Sequence, residues 1–171
     1  MRSFVRSVSA AAILLATGSL TFAQQQGTQK AFDQWQVVCG QPQGGKAGCI
    51  LGVSLINNKK ETVFQWAITP DRESKGNRLV ITTLTGVLIA EGIAVRFGDG
   101  EPVRIPYKLC MPKFCAAEIP FTENWLKTFK ASKTFAATIT AANGKELKYD
   151  VSLNQFAAAY DFYVSELAKL N

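Results

Sequence analysis

The chain has 171 residues, 47% of them apolar or aromatic and 19% charged, with a formal net charge of +6. These proportions exclude a disordered tail, a collagen-like repeat and a low-complexity segment, and the length fits one domain with a short appendage. Histidine is absent, which excludes Ser-His-Asp and Cys-His nucleophile systems, His-containing zinc sites and the commonest general base.

Residues 1–23 read as a cleavable export signal. Arg2 and Arg6 give a positive start, Val8 to Leu20 is an apolar and small-residue run, and Thr21-Phe22-Ala23 sets small residues at the two positions a signal peptidase reads. The run holds about a dozen such residues, against the roughly 20 that span a bilayer. No later segment is long and apolar enough for a transmembrane helix, so none is expected once the signal is cut after Ala23. Cleavage leaves 148 residues with 17 basic and 13 acidic side chains. That modest excess gives no ground for a nucleic-acid partner. The address expected is periplasmic or secreted and cell-surface-associated.

Residues 24–31 are expected to form a flexible lead and 32–171 a single domain. From Phe32 the pattern has period two. Trp35, Val37 and Cys39 share one face of a strand. After the loop GQPQGGKAG, Cys49, Leu51, Val53 and Leu55 share another. A hairpin would set Cys39 beside Cys49. Phe64, Trp66 and Ile68 alternate with Gln65 and Ala67, whereas Arg78 to Thr85 is apolar or threonine on both faces, as in a central strand covered twice. Ile93, Val95 and Phe97 lead to the turn signal Asp99-Gly100, then to Val103, Ile105, Tyr107 and Leu109. Pro106 makes that strand an edge or a bulge. Cys110 and Cys115 bracket Met111-Pro112-Lys113-Phe114. Thr122 is placed to cap a short helix holding Glu123, Trp125 and Phe129. Phe135, Ala137 and Ile139, the turn Asn143-Gly144, and Leu147, Tyr149, Val151 and Leu153 make a further hairpin. A last helix is expected from about Ser152, with Gln155 completing a capping box and Phe156, Tyr160, Tyr163, Leu167 and Leu170 on its core stripe. About nine short strands at near-regular spacing predict an antiparallel sandwich or a barrel, with a short helix and a C-terminal amphipathic helix.

Four cysteines allow three pairings. In an exported chain the simplest is local, Cys39 with Cys49 and Cys110 with Cys115. Zinc and thiol redox chemistry are the alternatives. The spacings match no common zinc knuckle, and four residues rather than two separate Cys110 from Cys115.

The pattern resembles the invasion-associated locus B family of exported alphaproteobacterial proteins. The resemblance rests on Asp33-Gln34-Trp35-Gln36-Val37-Val38-Cys39 with Cys49, and on Asp99-Gly100 leading to Pro106-Tyr107. Cys110 and Cys115 before Ala116, and Val151-Ser152-Leu153 with Phe156-Ala157, complete it. It covers essentially the whole chain after the signal. It implies an immunoglobulin-like β-sandwich at a periplasmic or surface address, and in pathogens a role in host-cell invasion. It carries no catalytic residues. The family has glycine before the phenylalanine, where this chain has Gln155.

No residue pattern calls for a cofactor or a metal, and no catalytic residue is assigned. Asp99 and Glu101 sit on a hairpin tip, where a carboxyl is solvated. Glu118, among Ala116, Ala117 and Ile119, reads as an outward residue of an edge strand. The candidate contact surface is Lys108, Met111, Lys113 and Phe114 around the second cysteine loop, with Lys127, Lys130 and Lys133 around the first helix. Should these regions converge, they would make a basic patch for a protein or an anionic glycan of the envelope or a host. The function expected is non-catalytic contact. The alternatives are a carboxylate-dependent hydrolase and a thiol-redox protein.

Overall fold

Among residues 27–41, 45–71, 73–74 and 76–170, which the computed structural model describes, period-two patterning becomes strand throughout. The expected signal at 1–23 lies outside the described residues. Eleven strands form two antiparallel sheets. The larger runs in the order β1 (Thr28–Phe32), β2 (Trp35–Gly40), β3 (Gly48–Ile56), β4 (Thr62–Pro70), β5 (Asn77–Thr83), β9 (Cys115–Phe121) and β8 (Tyr107–Cys110). The smaller runs β11 (Glu146–Ser152), β10 (Thr134–Thr140), β6 (Ile93–Phe97) and β7 (Val103–Ile105). Their facing sides build the expected β-sandwich core. Val37, Leu51, Phe64, Trp66, Ile68, Leu79 and Ile81 on one sheet meet Ile93, Val95, Phe135, Ala137, Ile139 and Val151 on the other.

Four strands cannot cover seven, and the two helices fill the difference. α2 (Phe156–Ala168) packs on β1, β2 and β3, burying Phe156, Ala159 and Tyr163. α1 (Glu123–Ala131) turns its single buried residue, Phe129, into the centre of the core. The Phe129 ring lies within 6.2 Å, centroid to centroid, of Trp35, Trp66, Phe97, Phe121, Trp125, Phe135 and Phe156. Both sheets and both helices therefore meet on one phenyl ring. The Asp-Gln-Trp opening fixes chain ends far apart in sequence. Trp35 Nε1 donates to the carbonyl of Ser152 at 2.9 Å, and the Ser152 amide donates to Gln34 Oε1 at 3.1 Å.

Several expectations need correction. Thr28–Ala31 are not a flexible lead but part of β1, because the free edge of β2 offers backbone partners that need no apolar side chains. β5 is not covered twice. Leu79, Ile81 and Thr83 face the core, while Arg78, Val80 and Thr82 are half-buried on the outer face. Glu118 is not on an edge, since β8 lies beyond β9. Pro106 splits the expected strand 103–109 where the chain leaves the smaller sheet for the larger, so Val103 and Leu109 are exposed rather than sharing the core face of Ile105. The last helix starts at Phe156, not Ser152, whose hydroxyl accepts from the Asn154 amide instead of capping a helix. Thr122 does hold the N-cap position of α1, but its side chain makes no cap hydrogen bond.

Candidate contact surface

The two disulfides are the expected local ones, Cys39–Cys49 and Cys110–Cys115. Each joins directly opposed residues of neighbouring antiparallel strands. They mark opposite ends of the larger sheet. β3 starts beside Cys49 and ends at Ile56. Through β4 and β5 the register carries Leu55 to Phe64, then to Thr83, then to Cys115. The end of β3, the start of β4, the end of β5 and the Cys110–Cys115 hairpin thus share one end of the sandwich.

This end is apolar in an unusual way. Ile56 closes β3 and is 65% exposed. The crossover from β5 to β6 carries Leu84, Leu88 and Ile89, all exposed. The stapled hairpin adds Leu109, Met111 (52% exposed) and Phe114. Seven of the twelve exposed large apolar side chains among the described residues are therefore gathered here. The crossover is held by the smaller sheet. The Leu88 amide donates to the Thr140 carbonyl, and the Ala142 amide to that of Gly86, so the β10–β11 turn belongs to the same end. Gly92 returns the chain to β6 at φ +64°, where a Cβ would stand 2.7 Å from the Ile105 carbonyl oxygen. The hairpin tip closes with the Met111 amide donating to the Phe114 carbonyl at 2.7 Å.

Charge is layered on this apolar rim. The β3–β4 turn brings Lys59 and Lys60, the hairpin Lys108 and Lys113, and the β10–β11 turn Lys145. Three glutamates oppose them. Glu61 accepts a hydrogen bond from Asn57, Glu91 pairs with Arg104 at 3.3 Å, and Glu146 begins β11. Lys108 also reaches Glu118 on the outer face, and Glu118 in turn pairs with Arg78, which holds Asp71 at 2.7 Å.

This chain of ion pairs bears on the hydrolase alternative. Hydrogen bonds from the Ser74 hydroxyl, the Glu73 amide and the Arg78 guanidinium hold the Asp71 carboxyl far below the usual carboxylate range. Lys108, then Arg78, lowers that of Glu118. A general acid needs its proton retained near neutrality, and both carboxyls are tuned the other way.

The lysines named from the sequence do not converge. Lys108 and Lys113 lie at the stapled end. Lys127, Lys130 and Lys133 accompany α1, which follows the far end of β9. The seven residues of β9 separate the groups by roughly 20 Å. Lys130 is also engaged, paired with Asp161 at 3.2 Å and lying 5.5 Å above the Tyr160 ring. Met111 and Phe114, named from the sequence, stand exposed at this end beside Ile56, Leu84, Leu88 and Ile89, which the sequence reading does not single out. The available signal was the apolar run Val87-Leu88-Ile89, which no predicted element accounts for.

Two concavities lie elsewhere. A cleft of about 310 Å³ sits between Phe97 and Trp125, and an open groove of about 1180 Å³ surrounds the Cys39–Cys49 end near Val38, Ile50 and Arg78. Among the described residues no group of three or more Cys, Asp or Glu side chains is arranged to hold a metal ion, and no helix is long and apolar enough to cross a membrane.

Residues 35–163 match the family model described as Invasion associated locus B (IalB) protein. The chain is similar to a protein named Invasion protein B from Bartonella bacilliformis, with 25% identity over 163 residues, 92% of this chain and 85% of that one. In structure it is similar to invasion associated protein B from Bartonella henselae, with a TM-score of 0.68 at 19% identity, over 83% of this chain and 98% of the other.

Proposed function

The chain belongs to the invasion-associated locus B family, and we propose that it works outside the cytoplasm by non-catalytic contact, through the stapled end of its sandwich. The observation that carries this reading is the concentration of exposed apolar side chains on one end, on loops anchored by a disulfide and by cross-sheet hydrogen bonds. A patch of this kind is rare on a surface that meets only water. Loops fixed in advance lose little entropy when they engage a partner. Export would follow cleavage after Ala23 of the signal read from the sequence, and the two disulfides suit an oxidising compartment. In a bacterium that invades host cells, as the names of the two relatives suggest, the same contact would serve invasion.

The test is photo-crosslinking in the living cell. A photoreactive residue at Phe114 is expected to capture a neighbour, and one at Lys127 to capture little. Equal labelling from both ends would refute the assignment of the surface. Turnover of a small compound abolished by Glu118→Gln would refute the non-catalytic reading.

A further inference from the structure

We propose that what this end meets is the surface of an anionic phospholipid bilayer; the inference rests on the contact reading above and specifies its partner class. Three features of the end favour a lipid surface over a folded partner or a sugar.

Shape is the first. The apolar side chains stand on three separate connections and the strand ends beside them, and none of them lines the cleft at Phe97 and Trp125 or the groove at the Cys39–Cys49 end. A peptide or a sugar is gripped in a groove or pocket. Separate projecting tips suit a fluid partner that closes around each of them.

Charge is the second. Five lysines and Arg104 stand against four glutamates here, Glu91 being engaged by Arg104 and Glu118 by Lys108, which leaves a positive excess. Lysine next to apolar tips is the arrangement that binds anionic lipid. Its methylene stem lies along the acyl boundary while its ammonium stays among the headgroups. Lys113 occupies that place between Met111 and Phe114 and makes no ion pair with any of the described residues.

Rigidity is the third. Four residues between bonded cysteines, with the Met111 amide tied to the Phe114 carbonyl, hold two large apolar side chains outward. The hairpin therefore enters the interface without first unfolding a compact loop. The attachment proposed is peripheral, made by these tips and their lysines; among the described residues no helix is long and apolar enough to cross a membrane.

The experiment is co-sedimentation of the disulfide-bonded protein, purified from the exporting cell, with vesicles of phosphatidylglycerol and phosphatidylcholine or of phosphatidylcholine alone. Binding is expected to the anionic vesicles only, and to weaken with added salt. Met111→Ser with Phe114→Ser should lower the partition about tenfold or more. Lys113→Gln should lower it roughly fivefold. Val38→Ser with Ile50→Ser, at the other end, should leave it unchanged. The side chains replaced are exposed, and an unaltered unfolding midpoint verifies that each variant is folded. No binding to anionic vesicles, or binding indifferent to the hairpin substitutions, overturns the proposal. Should Phe114 still crosslink to a protein in cells while vesicle binding is absent, the lipid inference falls and the contact reading stands. Absence of both would end both.

Discussion

Gln155 is the sharpest place to test the fold against its sequence. It stands at φ +57° and ψ +8°, immediately before Phe156 opens α2. A left-handed backbone presses the Cβ of an L-residue against the following carbonyl and costs about 1–2 kcal/mol. Nothing offsets that cost here, since the side chain is exposed and caps nothing. Gln155→Gly removes the conflict and keeps the backbone bonds, including the Ala159 amide to the Gln155 carbonyl at 3.0 Å. Glycine gives back about 0.5–1 kcal/mol through its greater freedom in the unfolded chain. The net expectation is a gain of about 0.5–1 kcal/mol, which raises the melting midpoint of a domain this size by about 1–4 °C. Gln155→Ala keeps a Cβ and should gain nothing. Urea unfolding followed by tryptophan fluorescence measures both variants. A glycine variant no more stable than the parent, or an alanine variant equally stabilised, would refute the backbone argument. It would also remove the explanation for the glycine that the family resemblance places here.

The remaining predictions concern the core, the staples and acid. Phe129→Ala should cost about 3–5 kcal/mol, because the ring it removes is shared by both sheets and both helices; a loss near 1 kcal/mol by chemical denaturation would show that the core closes without it. Replacing Cys39 and Cys49 by serine should cost about 3 kcal/mol, and replacing Cys110 and Cys115 about 2 kcal/mol, as chain entropy gives for loops of these lengths. In the second variant, hydrogen exchange should rise in β8 and the hairpin tip, with β2 and β3 still protected. The folded-state pKa values of Asp71 and Glu118 lie below their usual values of 3.8 and 4.5. Their contribution to stability is therefore full above those values and lost as pH falls through the lowered ones. Unfolding midpoints should drop as pH falls below about 4.5, and Asp71→Asn, less stable at neutral pH, should show a shallower drop.

Sandwich, helices and staples were legible in the sequence because each is a local signal. Alternation at Trp35-Val37-Cys39 and at Ile93-Val95, the turns at Asp99-Gly100 and Asn143-Gly144, and the short cysteine spacings all state their geometry within about ten residues. β1 was missed because an edge strand can be held by backbone alone. The second face of β5 was misjudged because its apolar content, Val80 beside Arg78 and Thr82, fits a half-exposed face packed by its own neighbours as well as a covered one. The boundary at Ser152 was misread because a hydroxyl three residues before a glutamine fits a capping box, yet Gln155 adopts a left-handed backbone that no cap requires.

The exposed apolar end is illegible in the sequence for a different reason. Ile56, Leu84, Ile89, Met111 and Phe114 are spread over 59 positions of sequence and belong to three connections. No window of the chain contains the patch, and each residue alone is an unremarkable exposed apolar side chain. Only the register from β3 through β4 and β5 to β9 brings them to one edge. Lys108 and Lys133 make the converse case. They look like one basic surface when lysines are counted, and the length of β9 separates them. Core patterning is thus written along the chain, whereas a surface built from loop ends is written in strand order. For that reason substitutions at the hairpin and at the β5–β6 crossover should act on the same contact while leaving the sandwich intact.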